Sequence, residues 1–104
     1  MNKQANIKVT RDHINRGQQG YGTNCPIALA ITDHIQSDLL EEVLVHIEET
    51  AITFYDERIE VYGNSREVSE WIRSYDHATD GKQPEPVTLA INDKGLLVIK
   101  HDEE

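Results

Sequence analysis

An α+β fold is predicted, with an antiparallel sheet of four to five strands and two helices packed on one face. Three observations carry it. Three segments of two-residue hydrophobic alternation fall within residues 43–62, the signature of consecutive half-buried strands. Val68, Trp71, Ile72 and Tyr75 fall at i, i+3, i+4 and i+7, which is one face of an amphipathic helix. An apolar segment opened by Asn24-Cys25-Pro26 has the makings of a second helix. Strands linked by hairpins, with helices segregated from them, favour an antiparallel sheet over a doubly wound one.

In chain order, residues 6–10 alternate polar and apolar around Ile7 and Val9 and predict a first strand. A single helical turn follows over 11–16, capped by Thr10 or Asp12 and stopped by Gly17. Residues 18–24 form a loop holding Gly20 and Gly22. Asn24 is the expected N-cap of the next helix, which should run to about Gln36. Three strands come next, around Val43, Val45 and Ile47, then Ile52 and Phe54, then Ile59 and Val61. Asp56-Glu57 is the expected hairpin tip, although it lacks the glycine of tight primed turns. Asn64 and Glu67 resemble a capping box for the amphipathic helix, which Asp80-Gly81 should end. Strands over 87–91 and 96–99, joined by a turn at 92–95, complete one domain of 104 residues.

Charge is unevenly spread. Residues 1–32 carry +3, residues 33–70 carry −9, and residues 71–104 carry −3, giving the net −9. In the middle block eleven acids face only Arg58 and Arg66. Such a field repels nucleic acid and anionic lipid, so neither is an expected direct partner. A single Cys suits a reducing compartment. The absence of an apolar N-terminal run or a spanning-length segment leads to the expectation of a soluble, cytoplasmic protein.

Signals for chemistry are weak. The five histidines show no metal-ligand spacing, and Asp76, His77 and Asp80 read as a polar helix end before they read as a ligand set. Cys25 at a helix N-terminus lacks a visible base and reads as a small hydrophobe. The glycines at 17, 20 and 22 lack the lysine of a phosphate loop, so anion or small-molecule binding through the loop from Gly17 to Pro26 is the second reading. No enzyme and no cofactor is expected.

The first reading is an interaction surface. Leu44, His46, Glu48, Thr53, Tyr55, Glu60 and Tyr62 occupy strand positions opposite the expected core. Sharing one open face, they would make it acidic, with tyrosines to anchor a basic partner. Glu41, Glu42, Glu48, Glu49, Tyr55, Asp56, Glu57, Glu60 and Tyr62 are the candidate contact residues. A third reading is a structural component or homo-oligomer pairing through an edge such as residues 96–99.

Cys25-Pro26-Ile27-Ala28-Leu29-Ala30, preceded by Ile14-Asn15-Arg16-Gly17, resembles a segment shared by a set of small phage and prophage proteins. Trp71-Ile72-Arg73-Ser74-Tyr75-Asp76 and Pro86-Val87-Thr88-Leu89 resemble their helix end and closing strand, with departures over 77–82 and 93–100. The resemblance implies a phage-type gene. It thereby implies an inhibitor of host machinery, in its most concrete form an anti-CRISPR protein occupying a DNA or RNA groove. The expected partner is a basic host protein or ribonucleoprotein complex.

Overall fold

The computed structural model describes residues 6–79 and 82–100. Within them the α+β expectation holds, with six strands and three helices. The order is β1 (Ile7–Val9), α1 (Arg11–Arg16), α2 (Pro26–His34), β2 (Leu40–Val45), β3 (Glu49–Phe54), β4 (Ile59–Asn64), α3 (Arg66–Asp76), β5 (Val87–Ile91) and β6 (Leu96–Lys100). They form one sheet in the order β1-β5-β6-β4-β3-β2.

Two corrections follow. The sheet has six strands, because the closing hairpin β5–β6 inserts between β1 and β4. It is mixed, because β6 runs parallel to β4, with Gly63 beside Leu96 and Asn64 beside Leu97. A helix-length crossover separates β4 from the hairpin, and such a connection allows the next strand either direction. Local periodicity therefore carries no information on that step.

Helix α2 packs against both β1 and β2, the two ends of the strand order. The sheet accordingly curls around it. One buried cluster joins Ile14 of α1, Ile27 and Ile31 of α2, Val68 and Ile72 of α3, and the inward strand residues Val9, Val43, Ile52, Leu89 and Leu97. The helices thus share the concave face, and among the described residues the convex face carries none.

Thr10 caps α1 as expected, and the caps of α2 and α3 shift by one residue. In the α1 capping box His13 takes the place of the usual Glu or Gln: the Thr10 N–H donates to His13 Nδ1 at 3.0 Å. Cys25, not Asn24, caps α2, its Sγ accepting from the Ala28 N–H at 3.5 Å. Helix α2 ends at His34, short of Gln36. Ser65, not Asn64, caps α3. Asn64 instead stays in β4, where its amide donates to the carbonyls of His46 (2.7 Å) and Ile47 (3.2 Å) and accepts from the Thr50 hydroxyl (2.9 Å). Helix α3 stops at Asp76; the expected stop at Asp80 and Gly81 lies outside the described residues.

Candidate interaction surface

The phase of β4 decides what the convex face displays. Val43 stands opposite Ile52 and Val45 opposite Thr50, all buried, so these positions face the concave side. Ile52 pairs with Glu60 and Thr50 with Tyr62, which puts Glu60 and Tyr62 on the same concave side. Tyr62 packs against the core cluster, and its hydroxyl donates to Glu60 at 3.2 Å. Burial and the neighbouring Glu60 carboxylate both raise the Tyr62 phenol above its ordinary pKa.

The expected acidic, tyrosine-bearing sheet face is therefore corrected. Glu60 and Tyr62 leave it, and Ile59 and Val61 take their places on the convex side. The reason lies in β4 itself: its apolar residues are turned outward while its polar ones meet the core rim, inverting the usual alternation. Hydrophobicity assigns a strand's inner face only when the inner face is the more apolar one.

The convex face near the β3–β4 hairpin is then apolar at its centre. Tyr55 is 66% exposed, Ile59 61%, Val61 54% and Leu39 43%. Thr53 pairs with Ile59 and Ala51 with Val61, so the apolar residues form contiguous rows. The Tyr55 N–H donates to the Leu39 carbonyl at 2.7 Å, bringing Leu39 alongside.

Acids border this patch. A register break between Leu40 and Glu42 leaves both Glu41 and Glu42 exposed beside β3, although adjacent strand residues normally point to opposite faces. Asp56 and Glu57 form the hairpin tip, as expected. There the Phe54 N–H donates to the Arg58 carbonyl at 2.9 Å and the Glu57 N–H to the Phe54 carbonyl at 3.0 Å. Glu57 has φ of 72°, the left-handed region that glycine or asparagine fills without strain. Arg58 lies 4.0 Å over the Phe54 ring and reaches Asp56 at 3.7 Å and Glu60 at 3.8 Å.

Glu48 and Glu49 do not join this group. They sit at the β2–β3 turn, the opposite end of β3, where the His46 N–H donates to the Glu49 carbonyl. Along β3, Glu49 lies four residues from Thr53, the partner of Glu42, about 13 Å, and six from Tyr55, about 20 Å. The nine candidates thus split into Glu41, Glu42, Tyr55, Asp56 and Glu57 around the patch, Glu48 and Glu49 beyond it, and Glu60 and Tyr62 behind it.

The glycine loop spends its polar groups internally. The Gln18 N–H donates to the Asn24 carbonyl, the Asn24 N–H to Tyr21, and the Gly20 N–H to the Asp76 carboxylate at 3.0 Å. The Asp76 carboxylate thus takes the Gly20 N–H. Beside the loop is a cleft of about 260 Å3 lined by Tyr21, Cys25, Leu44, His46, Ile72 and Asp76, among others. Burial raises the Cys25 pKa, with Asp76 adding to it against backbone hydrogen bonds that lower it, so the thiol stays protonated near neutrality. Among the described residues no group of three His, Cys, Asp or Glu side chains is placed to hold a metal, and Asp80 lies outside them. No described helix is long and apolar enough to cross a membrane.

One polar constellation escaped the sequence reading. His13, 7% exposed, accepts at Nδ1 from the Thr10 N–H, so its proton sits on Nε2 and is donated to Asp33 at 2.8 Å. It ties α1 to α2. Only the capping pattern Thr10-x-x-His13 could have hinted at it.

Compared with known proteins, the chain matches no family model, no curated protein and no solved structure.

Proposed function

We propose that the protein is a non-enzymatic binding module that sets the convex hairpin corner of its sheet against a basic protein surface. One observation carries this: Tyr55, Ile59 and Val61, the most exposed large apolar residues of the sheet, lie together on a helix-free face bordered by Glu41, Glu42, Asp56 and Glu57. An apolar centre within a charged rim is how protein interfaces are built, and the rim supplies steering and partner choice. The strain held by Glu57 adds support, since a glycine there would be easier to fold but would lose the charge. A basic surface that holds nucleic acid is the complementary shape and charge. A phage-type inhibitor covering such a groove in a host complex is the most concrete instance.

The test is capture of partners from a bacterial lysate by the wild-type protein and by two variants, over a salt series. Asp56→Lys with Glu57→Lys, and Tyr55→Ala alone, should each remove the partner that wild type retains, and added salt should weaken wild-type capture. A partner retained equally by all three proteins at every salt concentration sinks the reading.

A further inference from the structure

We infer that the basic partner docks by adding an extended segment to the free edge of β4, a mode of contact that rests on the surface proposed above. The hydrogen-bond phase of β4 is fixed at both ends. The Asn64 N–H donates to the Glu48 carbonyl, and the Phe54 N–H to the Arg58 carbonyl. In an antiparallel ladder the bonded residues alternate. Arg58, Glu60, Tyr62 and Asn64 therefore bond towards β3, while the backbone N–H and C=O groups of Ile59 and Val61 point the other way. On that side β6 reaches only Gly63 and Asn64. Among the described residues no strand covers Ile59 and Val61, and their high exposure agrees.

Such an edge is normally blunted by lysine, proline, a bulge or an overlying element. Among the described residues the four backbone groups of Ile59 and Val61 on this edge meet no strand, beside two exposed β-branched side chains. A second copy of the chain is a poor occupant. Antiparallel pairing of Ile59 with Val61 would set Glu60 against Glu60 and carry residues 56 and 57 onto Asn64 and Gly63, where β6 already lies. An extended segment alternating lysine or arginine with apolar residues fits both sides of the strand. Its apolar side chains prolong the Ile59–Val61 row, and its basic ones lie beside Glu60.

The phase makes the edge separable from the face. Val61→Pro deletes an N–H that pairs with no strand among the described residues and keeps an apolar side chain, whereas Val61→Thr keeps the N–H and the branched shape. The probe is a capped eight-residue peptide alternating lysine and valine, with a glutamate–valine peptide as control. On wild-type protein, the lysine peptide should slow amide exchange at Ile59 and Val61 at least about tenfold and leave Glu60 and Tyr62 little changed. Val61→Pro should weaken its affinity at least about tenfold and Val61→Thr about twofold or less, while the glutamate peptide should not bind. Failure of the lysine peptide to bind, binding without protection of Ile59 and Val61, or binding indifferent to Val61→Pro in a folded variant each overturns strand addition. The exchange measurement stands whether or not Val61→Pro folds. Lysate capture that survives Val61→Pro but not the Asp56 and Glu57 reversal would end this inference and leave the surface intact. Capture that survives both ends both.

Discussion

Glu57 concentrates the tension between folding and binding at a single residue. A side chain in the left-handed region costs about 1 kcal/mol relative to glycine, part of which glycine returns through the entropy of the unfolded chain. Glu57→Gly should therefore raise stability by roughly 0.5 kcal/mol, read as a higher urea midpoint, while weakening capture of a basic partner. Cys25 bears on pH. Its folded pKa lies above its unfolded value, so its stabilising effect is complete below the unfolded pKa. The effect is lost as pH rises past about 9 towards the folded value. Stability should fall in that alkaline range, and Cys25→Ala should fall less steeply there in a pH series of denaturant midpoints. That Asp56 and Glu57 make the tip was legible, because they interrupt the alternation that runs on both sides of them. Which of the two bears the positive φ was not, since neither is glycine.

Elements differed in how much of themselves they announced. Helix α3 was plain, because its four spaced apolar residues bury one stripe and all four are buried in the fold. Its start was misplaced by one residue, because Asn64 and Ser65 are both good caps and tertiary contacts settled the choice. Asn64 is held in β4 by the exposed carbonyls of the β2–β3 turn and by Thr50, which is 1% exposed. Asn64→Ala should accordingly cost about 2 kcal/mol, leaving a buried hydroxyl without its acceptor. Ser65→Ala removes only the cap and should cost about 1 kcal/mol. Equal losses in urea denaturation would mean Asn64 does no more than a cap. Gly22 shows a similar tertiary demand: a Cβ there would lie 2.6 Å from the Val45 carbonyl oxygen, because the loop bonds to the β2 edge at Val45.

For the whole molecule, six of the eleven acids in the block of residues 33–70 fall on two separate surfaces. Glu41, Glu42, Asp56 and Glu57 collect at one end of the β2–β3–β4 sheet, while Glu48 and Glu49 sit at the other. Reversal of Glu41 and Glu42 to lysine should weaken partner binding and flatten its salt dependence. The same reversal at Glu48 and Glu49 should leave both near wild type, since exposed charges further apart than the Debye length of about 8 Å in physiological salt are largely screened from one another. Binding constants over a salt series distinguish the pairs, and equal effects would restore the single acidic surface expected from the sequence.

By itself the sequence determined the α+β class, both longer helices, the order and approximate extents of the strands, and the concentration of acids in the middle of the chain. These follow from near-neighbour physics: hydrophobic period, cap chemistry and turn residues act over a few positions. Tertiary structure alone decided the parallel step between β6 and β4, the curl of the sheet around α2, and which side of β4 faces out. The last matters most for function. Ile59 and Val61 are as apolar as any core pair, and Glu60 and Tyr62 as polar as any surface pair. Only their register against Ile52 and Thr50, set by hairpin geometry, turned them the other way. That inversion replaced an acidic tyrosine face with an apolar corner rimmed by acids, ending in a free strand edge.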